Sequence, residues 1–300
     1  MGDSLAGRRF VRTGCGLAYA VSGEDLGRRQ VWAVNVHGLS EDGQAYVPES
    51  ESLAAALGWR VVTPSLPGFG ASPALPYSSS TVEGLAAALG DLLDALGVPH
   101  AVLLGHSMGG AVVVRLASDR PDRTAGVVYR SGCATPAWWS PRLTAGAAAF
   151  VEMMEAAAAG APFVGWSALA RVWRLCSSPR GVRLATSLLY TDLTPEIATL
   201  AREGVPMLCV WGRHDLVVPG RGANEFCGAA GSDLVWVAGG HFWMKLRPHT
   251  QAAALRDHPA GRTFVERVNR RVLALRGHCS LGEATPSGRP ADRSSGAVSD

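Results

Sequence analysis

Short, almost unbroken apolar runs alternate along the chain with longer stretches in which apolar residues recur every three to four positions. Val31-Trp-Ala-Val-Asn-Val36, Trp59 to Thr63, Ala101-Val-Leu-Leu104, Ala125-Gly-Val-Val-Tyr129, Val205 to Trp211 and Leu234 to Ala238 have strand length. Their continuity is that of strands covered on both faces. Between them, residues 50–57 and Thr81 to Leu96 have helical spacing; in the second, Val82, Leu85, Leu89, Leu92, Leu93 and Leu96 share one face. Thr81 is placed to cap that helix and Gly97 to stop it. Ahead of this pattern, Arg8 to Thr13 and Gly16 to Ser22 alternate and meet at Thr13-Gly-Cys-Gly, which predicts an antiparallel hairpin. Thr263 to Leu275 closes the pattern as a helix. Repeated strand and helix predict an α/β domain whose mostly parallel sheet carries helices on both faces.

The rhythm lapses from about Thr135. Trp138, Trp139, Phe150, Met153, Met154, Phe163, Trp166, Trp173 and Tyr190 lie there among alanines and leucines. This reads as a helical insertion over 135–200, dividing the core into 1–134 and 201–277. After Gly277 the sequence loses its large apolar side chains, so 278–300 is expected to be a disordered tail.

The organising stretch is Ala101-Val-Leu-Leu-Gly105-His-Ser107-Met-Gly109-Gly110, which predicts a strand, a sharp turn and a helix. Gly105-x-Ser107-x-Gly109 has the form of a nucleophile elbow, where glycines flank a serine because the turn leaves no room for side chains. The helix start brings unpaired N–H groups to the side where an oxyanion would form. A serine hydroxyl needs a base, and the base an orienting acid. His241, in Ala238-Gly-Gly-His241, follows the last predicted strand, and Asp215, in Trp211-Gly-Arg-His-Asp215, follows the one before. Alone, Asp215 reads as a turn residue or cap and His241 as a loop histidine. Together they follow the carboxyl ends of strands, where sites of open α/β sheets form, in the order Ser, Asp, His of a triad built on an elbow. His214 is the competing base, and Asp119, Asp122, Asp192 and Asp233 are rival acids. None of these acids directly follows a predicted strand. His106 is expected to point away from the serine.

These residues resemble the α/β-hydrolases of the lipase, esterase and haloperoxidase-like type. The resemblance runs from about Arg8 to Leu275 through His37-Gly38, Pro67-Gly-Phe-Gly-x-Ser72, Gly105-His-Ser-Met-Gly-Gly110, Trp211-Gly-x-x-Asp215 with Val218-Pro219, and Gly240-His241. It implies an eight-stranded sheet flanked by helices, a lid formed by the insertion, and an oxyanion hole from the backbone N–H groups of Leu39 and Met108. Ser65 departs from the aspartate usual at its position, and Trp243 to Arg262 is longer than the usual link to the last helix. A serine at 107 argues against the epoxide hydrolases and haloalkane dehalogenases, which resemble this pattern but carry aspartate at the elbow. What remains is hydrolysis of a carboxylic ester or thioester. Alternatives are cleavage of a C–C bond, or a lyase or cyclisation step, on the same fold, and a ligand-binding protein or receptor with little turnover. His37, Gly38, Trp138, Trp139, Met153, Met154, Trp166 and Phe242 are expected to line a pocket for a small apolar or aromatic substrate.

Composition narrows the partners. A net charge of +3 without a basic run gives no sign of nucleic-acid binding. Charged residues are 18%, below the roughly 25% usual for soluble domains, which fits apolar surface at a pocket or interface. The 6 cysteines are scattered without a metal-binding spacing, so neither metal nor cofactor is expected. With no signal-like start or membrane-length apolar run, a cytoplasmic location is expected. The sequence leaves monomer and homodimer open.

Overall fold

The structure, a computed structural model, describes residues 11–12, 16–27, 30–39, 41–138 and 177–282. Its strands are β1 Val11–Arg12, β2 Ala18–Ser22, β3 Trp32–Val36, β4 Arg60–Pro64, β5 Ala101–His106, β6 Thr124–Arg130, β7 Met207–Gly212 and β8 Leu234–Val237. They form one eight-stranded sheet in the order β1-β2-β4-β3-β5-β6-β7-β8. β1 and β2 form the antiparallel opening; β2 meets β4 antiparallel, and every later pairing is parallel. β3 and β5 are neighbours at the centre, so the loops after them emerge side by side at one end of the sheet.

Period-two alternation assigns the strand residues to two cores. Val34 and Val36, Leu103, Val127 and Tyr129, and Cys209 and Trp211 face α2 (Val82–Ala95), α3 (Met108–Asp119), α4 (Pro179–Leu189), α5 (Thr194–Arg202) and α6 (Arg221–Ala230). Ala33, Val102 and Leu104, Val128, and Leu208 and Val210 face α1 (Val47–Leu57), α7 (Trp243–Leu246), α8 (Thr250–Arg256) and α9 (Pro259–Gly282). Continuous apolar strands are what a sheet covered on both faces requires.

The helices follow local chemistry. Thr81 Oγ1 accepts the Gly84 N–H at 3.2 Å at the start of α2, and Gly97 ends it with φ +63. Leu85, Leu89 and Leu92 are buried on its core face; truncating such a leucine to alanine costs about 2–5 kcal/mol. α3 is buried on nearly every side, at Gly109–Val114, Leu116 and Ala117, because it lies beside α2 and α5 as well as the sheet. The long link after His241 contains α7 and α8; Trp243 and Met244 are buried, and α8 lies on α1.

Residues 139–176, most of the expected insertion, lie outside the described residues. Of the flanking parts, α4 sends Leu184 and Leu188 into the main core, and α5 packs on α3 and α6 as a sheet-covering helix. α9 continues to Gly282, and the remainder of the expected tail lies outside the described residues. Cys133, Cys209 and Cys227 are free thiols.

Candidate active site

The elbow forms because β5 ends at His106 and α3 begins at Met108, which leaves Ser107 to turn the chain alone. Ser107 takes φ 53 and ψ −122, in the region that L side chains rarely adopt. The flanking glycines are needed for space. A Cβ on Gly105 would stand 2.3 Å from the Gly109 carbonyl oxygen and 2.5 Å from Val113 Cγ2, and one on Gly109 would stand 2.6 Å from the His37 oxygen. The turn is held by the Ser107 N–H, which donates to the Arg130 carbonyl at 3.0 Å. The Ser107 carbonyl accepts from Gly110 at 2.9 Å and Cys133 at 3.1 Å.

Asp215 and His241 come together beyond β7 and β8. His241 Nδ1 lies 2.9 Å from Asp215 Oδ2, and both side chains are buried. The other carboxylate oxygen accepts the Val217 N–H at 3.0 Å and the Val218 N–H at 2.8 Å, which fixes the acid in place. With Nδ1 donating to a carboxylate, Nε2 of neutral His241 is left as a proton acceptor. In this rotamer the Ser107 hydroxyl stands 3.8 Å from Cys133 Sγ. Burial above all pushes that thiol up to about 12, against a smaller lowering by the Ser107 hydroxyl, so Cys133 stays protonated and a poor nucleophile near neutrality.

The loop after β3 lies against the elbow; a Cβ on Gly38 would meet Ser107 Cβ at 3.2 Å. Leu39 is the next residue of that loop. Met108 opens α3, so its N–H has no acceptor one turn earlier in the helix. His37 holds the loop from below: its Nδ1 lies 2.8 Å from the Gly38 carbonyl, and its Nε2 accepts the Leu66 N–H at 2.9 Å. The ring is fully buried, so it shapes the site without presenting a face to a ligand. Ser65 accepts the Gly43 N–H and its carbonyl receives Ser72 Oγ, which ties the Pro67-Gly68 loop to β2 and the loop after β3.

A cavity of about 640 Å³ borders Leu39, with Phe69, Leu75, Leu85 and Leu184 as apolar walls and Glu41, Asp42 and Arg180 as polar ones. Gly38 instead packs against His106 and Ser107. Trp138 lies against Gly222 of α6, and the Phe242 ring meets His241 edge-on at 5.1 Å. Trp139, Met153, Met154 and Trp166 lie outside the described residues. His106 is buried beneath His241, with ring centroids 4.5 Å apart.

Other polar groups around the site were not singled out by the sequence reading. Lys245 of α7 meets Glu41 at 2.6 Å and lies over the Phe242 ring. Arg130 is buried with Glu49 and Asn35 under the elbow. Their signal was a polar residue within an apolar strand, Asn35 in Val-Asn-Val and Arg130 after Val-Val-Tyr. Among the described residues, no group of three or more His, Cys, Asp or Glu is placed to hold a metal ion, and no helix is long and apolar enough to cross a membrane.

A family model described as the alpha/beta hydrolase fold matches residues 34–169. A solved esterase from Thermogutta terrifontis superposes with a TM-score of 0.66 at 25% identity, covering 88% of this chain and 100% of that one. The chain has the α/β-hydrolase fold. The chain is also 29% identical over 238 residues to a Mycobacterium phage D29 protein named for non-heme haloperoxidase activity, covering 73% of this chain and 84% of that protein. A Pseudomonas putida protein named 2-hydroxy-6-oxononadienedioate/2-hydroxy-6-oxononatrienedioate hydrolase 2 is 27% identical over 232 residues, covering 65% of this chain and 75% of its own length.

Proposed function

We propose that this protein cleaves a carboxylic ester or thioester of a small apolar or aromatic substrate through an acyl-enzyme on Ser107. The observation that supports the reading is the buried pair His241–Asp215 at 2.9 Å; the serine of the same reading, Ser107, has elbow geometry at φ 53. Its chemistry follows from the atoms. His241 Nε2 takes the hydroxyl proton as Ser107 Oγ attacks the carbonyl carbon, and Asp215 holds the ring and balances the imidazolium charge. The negative oxygen of the tetrahedral intermediate accepts hydrogen bonds from the backbone N–H groups of Leu39 and Met108, aided by the start of α3. The intermediate expels the alcohol or thiol, which receives the proton from His241. Water, deprotonated by the same imidazole, then attacks the acyl-enzyme and releases the acid.

The similarity to a solved esterase supports ester chemistry. The Pseudomonas relative's name gives a second reading, hydrolysis of a C–C bond beside a ketone. The test combines a fluorophosphonate probe with turnover of p-nitrophenyl esters, acyl thioesters, lactones and 2-hydroxy-6-oxodienoates. The proposal expects Ser107 to be labelled, esters or thioesters to be turned over fastest, and Ser107→Ala to lose at least about 10³-fold in rate. An active Ser107→Ala enzyme rejects the covalent mechanism. Labelling without ester or thioester turnover would favour a ligand-binding protein, and preference for the dienoate would favour the C–C reading.

A further inference from the structure

The proposed reaction requires three backbone stretches to keep their places: Gly38-Leu39, His106-Ser107 and His241. We infer that Tyr46 and His106 are positioning residues that lock these stretches together through one directed chain of hydrogen bonds, an inference that rests on the serine-hydrolase reading. The Gly38 N–H donates to Tyr46 Oη at 3.3 Å, Tyr46 Oη lies 2.6 Å from His106 Nδ1, and His106 Nε2 lies 3.0 Å from the His241 carbonyl oxygen.

The direction of this chain follows from donor and acceptor capacity. A carbonyl oxygen only accepts, so His106 Nε2 carries the hydrogen. A neutral imidazole then has Nδ1 as its acceptor, so Tyr46 donates to it and receives the Gly38 N–H on a lone pair. Tyr46 and His106 are fully buried, which removes competing water and makes each unmade bond costly. Burial holds His106 well below its ordinary 6.5, reinforced by His241 and Arg130. Burial also holds Tyr46 well above 10.0. Both therefore remain neutral, as the chain of bonds needs.

The endpoints distinguish this chain from ordinary core bonding. Gly38 precedes the proposed oxyanion donor Leu39, and His106 precedes the nucleophile. The accepting carbonyl belongs to the base itself. Asp215 fixes the His241 ring, while His106 fixes the peptide that carries it and packs on its face with the rings tilted by 44°. Both nitrogens of His106 are used in this network, which identifies its role as positioning His241. A displacement of about 1 Å in such a site costs up to about 10²-fold in rate, so a small loosening of these loops is visible in turnover.

Tyr46→Phe removes one oxygen and keeps the ring. With p-nitrophenyl acetate, kcat is expected to fall about 10- to 100-fold, while KM stays within about threefold. His106→Gln preserves a side-chain N–H for the His241 carbonyl and is expected to retain more activity than His106→Ala. Adding His106→Ala to Tyr46→Phe should cost less than it does alone, because the chain is already broken. In the wild-type enzyme, side-chain ¹⁵N spectra at pH 7.5 should show His106 protonated at Nε2 and not at Nδ1, a readout that does not require the variants to fold. An Nδ1–H tautomer in wild type, unchanged kcat in folded Tyr46→Phe, or equal activity of His106→Gln and His106→Ala overturns the inference. Ser107→Ala separates the two claims: if it is inactive, the serine reading stands whatever Tyr46→Phe does, and if it is active, that reading fails first.

Discussion

Histidine's behaviour in this chain is set by what its two nitrogens meet. His241 has a carboxylate, while His37 and His106 have backbone and phenol partners. His100 is different: it is buried, its Nε2 has no hydrogen-bond partner among the described residues, and Arg276 and Arg123 lie near enough to repel a charge. Burial first, and these cations second, lower its pKa from 6.5 to about 4. Between those values the unfolded chain binds a proton that the fold refuses. Stability from this residue is therefore complete above about pH 6.5 and falls as pH drops towards 4, reaching a loss of about 3 kcal/mol at pH 4. Urea unfolding from pH 4 to 7 measures it. His100→Gln should have a shallower loss of stability with acid than wild type, and parallel curves would contradict the assignment.

At the scale of the element, the elbow works because a strand and a helix approach closer than any side chain permits. Gly109→Ala would put a methyl carbon 2.6 Å from the His37 oxygen and 2.7 Å from the Val36 oxygen, both backbone atoms that cannot swing aside. The start of α3 must then move away from the end of β3, taking the Met108 N–H with it. The variant is expected to lose about 1–3 kcal/mol and at least about tenfold in kcat, measured by thermal denaturation and ester turnover. Gly228→Ala, on α6, where nothing beyond its own stretch of helix lies within 4 Å of the new carbon, should leave kcat unchanged. This local geometry was legible in the sequence because the strand, the glycines and the helix are consecutive. The parallel sheet and the Asp215–His241 pairing were legible because each residue lies in the loop just beyond the carboxyl end of a strand, β7 or β8. The bonds linking Tyr46 with His106 and His106 with His241 were not, since they span separations of 60 and 135 residues and nothing local marks a tyrosine for a partner that distant. Nor does helical periodicity identify which layer a helix joins, so the insertion reading at 135–200 included α5, which covers the sheet beside α3.

Across the whole molecule, one buried charge pair gathers elements from distant parts of the chain under the elbow. Arg130 of β6 gives both Glu49 oxygens a hydrogen bond at 2.8 Å and reaches Asn35 of β3 at 2.6 Å; Asn35 in turn bonds Glu49 and Ser50 of α1, and Thr63 of β4 bonds Ser50. The same Arg130 supplies the carbonyl that receives the Ser107 N–H. Removing charges from water is costly, so this arrangement is valued by what happens when one member is lost. Arg130→Met strands a buried carboxylate and should cost about 3–5 kcal/mol. Glu49→Gln alone strands the guanidinium, whose Nε already lacks a hydrogen-bond partner among the described residues. In the double variant both charges are gone, and the amide introduced at position 49 can still exchange hydrogen bonds with Asn35. The double variant should be more stable than Arg130→Met, with a coupling energy of at least about 1 kcal/mol in a urea-unfolding cycle at pH 7. Because the backbone carbonyl at position 130 survives both substitutions, ester turnover should recover together with stability. Additive losses would mean that Arg130 and Glu49 act separately; recovered stability without turnover would mean that the charge itself supports the elbow.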